Sequence, residues 1–172
     1  MRLTALYAVP GVDLTRIHGL GPSLALKLAG EWETNLSAWP RSKHFTSWPC
    51  LAPGNKISGG KVLSSRTRRS GSRAAAPPRL AAATAGRTGT APGAFYRRLS
   101  RVGKAKAVTA PARKIAVLFY NSLRNGMDYR DPGAAYDEER HRRQVLSNLQ
   151  QRAKALGYVL QEASMTQEIA VS

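Results

Sequence analysis

Between Glu33 and Asp128 the chain contains no aspartate and no glutamate, yet 18 of its 27 lysines and arginines lie in that interval. This constrains folding more than any other feature. A basic side chain there has no carboxylate from the same stretch to be buried against, and an unpaired buried charge is prohibitively costly. The interval also cannot assemble a two-metal carboxylate cluster from its own residues. The flanks are nearly balanced: 3 basic residues face Asp13, Glu31 and Glu33 at the front, and 6 face 7 acidic residues at the back. A long segment of one sign repels itself unless a polyanion neutralises it, and nucleic acid is the simplest such partner. The plainer alternative is a basic, partly disordered linker.

Other classes are set aside quickly. The net charge is +17 over 172 residues, but 42% hydrophobic content is too high for a chain disordered throughout. Cys50 is the sole cysteine, which excludes an internal disulfide framework and a cysteine zinc site. No apolar run approaches the roughly 18 residues of a membrane span. The opening MRLTALYAVPGVD lacks the pattern of a secretory signal. The expectation is a soluble cytoplasmic protein. His18, His44 and His141 are scattered, and no HExxH, Walker A loop or strand-following GxGxxG occurs.

The segment Leu14–Gly30 reads as a helix-hairpin-helix. Ile17-His18-Gly19-Leu20-Gly21-Pro22 forms a tight turn, and Pro22 sits in the first turn of the following helix. Gly19 and Gly21 allow unusual backbone angles and let N–H groups approach a phosphate. An ordinary helical corner without a ligand is the alternative, and His18 is a structural residue in either case. Trp32, Leu36 and Trp39 follow as apolar anchors. Arg41–Trp48 predicts a short helix with Phe45 and Trp48 on one side, and Ile57, Val62 and Leu63 predict short strand or turn pieces around Gly59-Gly60.

Further on, the alanine-rich stretch Ser72–Gly86 is helical by composition but interrupted by Pro77-Pro78. A loop over Arg87–Gly93 and a helix from about Ala94 follow. Thr109 caps the next predicted helix, with Pro111 in its first turn and Gly126 at its end. Asp131-Pro132 opens another, with Glu138–Arg142 and Glu139–Arg143 pairs. Its apolar side carries Tyr136, Val145, Leu146, Leu149, Ala153 and Leu156, and Gly157 stops it. It reads as a packing helix, with a contact between two copies as the alternative. Tyr158–Ala163 suggests a short strand and Ser164–Ser172 a tail. The fold class is mostly α, with strand pieces around residues 55–65. Three regions are expected: 1–40, a basic core over 41–127, and 128–172.

In order along the chain come the helix-hairpin-helix, KHFTSW, LAPGNKISGGKVLSSRTRRS, RAAA, RLAAA, GAFYRRL, KAVTA and VLFYNSL. This ordered set resembles the C-terminal domain of the insertion-sequence transposases whose catalytic N-terminal domain is a DEDD-type, RuvC-like fold, the bridge-RNA-guided serine recombinases. The resemblance spans roughly residues 3–160, and NKISGGKVLSSRTRRS is its strongest part. It implies DNA recombination through a nucleophilic serine, best matched by Ser58, with Ser64 and Ser65 as alternatives. It further implies DNA contacts by Gly59, Gly60, Lys61, Arg66, Arg68, Arg69 and Arg73, besides Gly19 and Gly21. A serine hydroxyl needs activation, and a pentacovalent phosphate needs cationic and N–H donors; SGGK supplies the latter. Taken alone, SGGK is a plain flexible turn.

The resemblance places the metal-binding carboxylates in a separate DEDD domain. Mg²⁺ is then expected only with that domain and no cofactor with this chain. The implied partners are DNA, a guide (bridge) RNA, the DEDD domain or a full-length transposase, and a second copy of the chain, in a bacterial, nucleoid-associated setting without a membrane. Two departures stand out. Pro49 and Cys50 occupy positions where the resemblance implies an apolar residue and a glycine. Ser70-Gly71, Pro77-Pro78 and Thr88-Gly89-Thr90 fall in a segment expected to be continuous helix and core. With the carboxylates' domain as a third departure, expected ahead of this chain, they suggest a truncated, decaying mobile-element copy, inactive by itself. The competing expectations are a non-catalytic nucleic-acid-binding module and an inert remnant.

Overall fold

The computed structural model describes residues 11–32, 35–69 and 71–162; Ser70, Ala163 and the Ser164–Ser172 tail lie outside these, as do the first ten residues. The described residues form six α-helices and one two-stranded sheet, the mostly α fold that the sequence leads one to expect. The chain divides into two units, Met1–Asp137 and Glu138–Ser172.

The first unit opens with a single 3-10 turn, Leu14–Arg16, where a first full helix of the helix-hairpin-helix was expected. Gly11 and Gly19 leave room for little more. The Asp13 carboxylate accepts from the Thr15 amide at 3.0 Å, and Leu14, Ile17 and Leu20 are buried. Helix α1, Pro22–Glu31, starts after Gly21 and buries Ala25 and Leu28. Helix α2, Ser42–Ser47, buries Phe45. Trp48 caps its C-terminal end and is 46% exposed, so only one member of the expected aromatic pair faces inward. Past α2, Cys50 takes a left-handed conformation, φ 57°, while the Leu51 and Ala52 amides both donate to Thr46 O at 3.0 Å. This closes the helix end in the geometry that glycine ordinarily supplies.

Helix α3 spans Ala76–Ala85 and follows a 3-10 turn at Arg73–Ala75. Pro77 and Pro78 fall in its first turn, where a missing N–H breaks no helical bond, so they start the helix rather than interrupt it. Helix α4, Ala91–Ser100, begins three residues before the expected Ala94 because Thr90 caps it, its hydroxyl accepting from the Gly93 amide at 3.2 Å. Thr88 and Thr90 share a 2.7 Å hydroxyl contact, and Arg97 donates to Gly86 O at 3.2 Å and Thr88 O at 2.6 Å. The Thr88-Gly89-Thr90 segment is thus a bonded turn between two helices, not a disturbance in one.

Helix α5, Lys104–Asn125, also starts earlier than expected. Pro111 lies inside it and is buried, rather than standing in a first turn capped by Thr109. Local sequence cannot tell an N-terminal proline from an interior one; here burial among α5's neighbours decides. Gly126, at φ 61°, ends the helix as expected.

Helix α5 packs against α2, α3 and α4, and α3 also meets α1 and α4. Ala81 and Ala82 of α3 and Ala112 and Ala116 of α5 are fully buried in one core, and small side chains let helices approach closely. At the centre Trp32 meets Phe45 edge-on at 4.9 Å and Phe119 at 5.0 Å, while Phe45 and Phe119 stack at 6.0 Å. Each such pair contributes roughly 0.5–1.5 kcal/mol beyond its buried area. The polar atoms are also served. Trp32 Nε1 donates to Ala74 O at 2.8 Å, Tyr120 OH to Trp39 O at 2.8 Å, and Arg124 to Leu36 O at 3.0 Å.

Acids from the flanks neutralise part of the acid-free interval. Asp137 pairs with Arg98 at 2.8 Å and Lys114 at 3.6 Å, and Lys114 Nζ lies 3.8 Å from the Phe95 ring centre. Arg73 pairs with Glu31 at 3.1 Å, while outside the interval Arg16 and Asp128 pair with each other. The Asp131 carboxylate accepts from the Ala91 amide at 3.0 Å and the Gly133 amide at 2.6 Å. Tyr129, 3.4 Å from Asp131, has its hydroxyl pKa raised by burial first and then by that carboxylate.

Helix α6, Ala134–Ala155, runs across the unit boundary and starts three residues after Asp131, with Gly157 (φ 83°) just past its end. In the second unit Glu139 pairs with Arg143 at 3.7 Å. Within that unit Val145, Leu146, Leu149 and Leu156 lie along the helix with no other element of the unit to cover them. Residues 158–162 form no strand. A lone apolar segment without a paired neighbour has nothing to satisfy its backbone groups as a ladder would.

Candidate nucleic-acid interface

Strands β1 (Lys56–Ser58) and β2 (Lys61–Ser64) form an antiparallel hairpin around Gly59-Gly60. Both glycines have positive φ, 55° and 75°, the pattern of the tight two-residue turns that match strand twist. Ser58 pairs with Lys61, Ile57 with Val62 and Lys56 with Ser64, leaving Leu63 as a bulged residue. A bridge between Pro53 and Thr67, and a bond from the Gly54 amide to Arg66 O at 3.1 Å, close the base. The strands make their extensive contacts only with each other. The result is an arm over residues 53–67.

The ladder sorts the side chains. Directly opposed residues share a face, and so do residues two apart on a strand. Lys56, Ser58, Lys61 and Ser64 therefore occupy one face, and Ile57 and Val62 the other. Ser58 is exposed beside the turn, and among the described residues its hydroxyl has no hydrogen-bond partner. Ser64 is half-buried, and its hydroxyl accepts from the Arg66 amide at 3.4 Å. Ser65 follows the strand's end. Ser65 is exposed beside Arg66 as Ser58 is beside Lys61, so burial sets Ser64 apart from the other two and does not choose between them.

Ser58, Gly59, Gly60, Lys61 and Arg66 thus come together on the arm, with Arg68 and Arg69 just past its base, all exposed. Among the described residues no carboxylate pairs with any of these cations. The remaining candidates belong to the helical body. Gly19, at φ 95°, is held against α3, where a Cβ would collide with Ala81 O and press on Ala85. Its freedom serves packing. Gly21 stands open at the start of α1. Arg73, tied to Glu31, borders an open groove of about 950 Å³ between α1 and α3 that Leu24, Lys27, Pro77 and Leu80 also line. Lys56 was not singled out from the sequence. The signal was there, since strand alternation through Lys56-Ile57-Ser58 sets it on the serine's face.

Chemically, the arm offers a hydroxyl, two lysines on its face and a turn without side chains. It carries no carboxylate and no histidine to serve as a general base. Among the described residues no group of three or more His, Cys, Asp or Glu converges to hold a metal ion. No helix among them is long and apolar enough to cross a membrane.

No curated protein and no solved structure gives a significant match to the chain. A family model does. Residues 13–85, running from the 3-10 turn through the arm to the end of α3 and covering under half of the chain, match the Transposase IS116/IS110/IS902 family, which supports placing this protein among the insertion-sequence transposases.

Proposed function

We propose that the chain is the DNA-gripping part of a transposase, and that its arm presents Ser58 to a DNA phosphodiester. The observation that carries this is the two-faced, acid-free arm: an open serine opposite Lys61, with Lys56 on the same face and Arg66, Arg68 and Arg69 towards the base. In the reaction the Ser58 Oγ–phosphorus bond forms and a phosphorus–deoxyribose oxygen bond breaks. The serine proton passes to a base, and the leaving oxygen takes up a proton. Lys56 and Lys61 offset the charge on the phosphate oxygens, and the Gly59-Gly60 backbone permits close approach. The base and the metal carboxylates come from a separate DEDD domain, in keeping with the family resemblance, so the chain alone does not complete the step. A guide RNA and a second copy complete the assembly on bacterial nucleoid DNA. Gly21 and the first turn of α1 add a backbone contact to phosphate.

A second reading, a binding module without covalent chemistry, is favoured by the missing base beside Ser58. A nicked suicide duplex incubated with the chain, Mg²⁺ and a supplied DEDD domain separates the two. A covalent DNA adduct that Ser58→Ala abolishes, with Ser64→Ala retaining it, supports recombination. No adduct even with the complementing domain, alongside intact DNA binding, leaves the binding module. An inert remnant would show no cooperative unfolding in calorimetry.

A further inference from the structure

We infer that the apolar face of the arm, Ile57 and Val62 with the bulged Leu63 beside them, is a wedge that enters between stacked base pairs of duplex DNA. This rests on the DNA-gripping reading above and goes beyond it, since gripping requires contact with phosphates and a wedge requires distortion of the bases. The three side chains are 63%, 57% and 70% exposed. They sit within two rungs of the turn, on strands whose extensive contacts are only with each other, so the fold leaves them uncovered.

What covers them is indicated by charge. Lys56 and Lys61 stand on the opposite face, Arg66, Arg68 and Arg69 towards the base, and no carboxylate among the described residues pairs with any of them. A partner that meets this arm must be anionic around its approach and apolar within. Duplex DNA is built that way, with phosphates outside and stacked bases inside. A two-stranded ribbon fits a DNA groove. Architectural DNA-binding proteins use exposed isoleucine and leucine side chains to unstack a base step and kink the duplex. The Gly59-Gly60 tip carries no side chain and the Ser58–Lys61 rung faces the other way, so on the apolar face the first bulk behind the tip is the Ile57–Val62 rung. Leu63, the extra residue of the bulge, adds exposed apolar bulk next to Val62 in the chain.

The test uses the full chain and mixed-sequence duplexes carrying 2-aminopurine at successive positions, whose fluorescence rises when its base unstacks. The comparison variant is the triple substitution Ile57→Ser, Val62→Ser, Leu63→Ser; all three positions are exposed, so the helical core is untouched. The expected result is a fluorescence rise of about twofold or more at particular positions with the natural chain. The triple variant is expected to lose the rise while keeping affinity within about threefold and the same salt dependence. Binding without any rise, or an equal rise from the triple variant, overturns the wedge and leaves the DNA-gripping reading standing. Loss of self-association by the triple variant, seen in sedimentation with no fluorescence rise from either chain, also overturns it and makes the face a protein contact. No binding of the natural chain to duplex at low salt overturns both readings together.

Discussion

The aromatic centre and the arm belong to one unit and solve opposite problems. Around Trp32, Phe45 and Phe119 each ring is enclosed, and the one indole N–H is matched by Ala74 O. In the arm Ile57, Val62 and Leu63 face solvent, and the backbone ladder alone holds the shape. The charges divide in the same way. In the body, Arg98, Lys114 and Arg73 find Asp137 and Glu31 from outside the acid-free interval. The arm's cations find none among the described residues. The lesson is that an acid-free stretch is not uniformly an exposed one: it is tied down where flanking acids reach it, and stays available for an outside anion where they do not.

The sharpest way to break this comparison is to delete from each side. Phe119→Ala should cost about 3–5 kcal/mol in denaturant unfolding, since it opens a cavity against two other rings. Gly19→Ala comes next, at about 1–3 kcal/mol, because the added methyl meets α3 backbone and the φ is left-handed. Cys50→Gly should stabilise by about 0.5–1 kcal/mol: the relieved left-handed strain exceeds the added freedom of the unfolded chain. In the arm, Ile57→Ser should change stability by no more than about 0.5 kcal/mol; a loss as large as that of Phe119→Ala would mean that the arm is packed. Lys61→Ala should leave the melting temperature unmoved. It should instead lower the slope of log K against log salt for DNA binding by about 1, which a titration at several salt concentrations reads directly.

Much of this division can be read from residue order. Gly59-Gly60 between Lys56-Ile57-Ser58 and Lys61-Val62-Leu63 announces a hairpin, and Trp32 and Leu36 announce core. What the order could not convey was which features burial would overrule. Pro77 and Pro111 look alike locally, yet one starts a helix and the other lies within one. The apolar spacing of Val145, Leu146 and Leu149 marks one face of a helix, but periodicity does not say which element that face meets. At Gly19 the same positive φ can serve a ligand or a neighbouring helix, and the position of Ala81 adds a packing requirement that residue order does not convey. Cys50 is the reverse case: the family resemblance asks for glycine there, and the left-handed backbone gives the reason.

The bond from Trp32 Nε1 to Ala74 O joins residues 42 apart and spans the whole excursion that carries α2 and the arm. Such a clasp makes the excursion modular. The entropy of closing a loop rises only with the logarithm of its length, so lengthening or trimming the arm above the Pro53–Thr67 bridge barely alters the cost of closure. The helices below need not register the change. The arm is thereby free to change in reach while the helices that hold its base stay fixed.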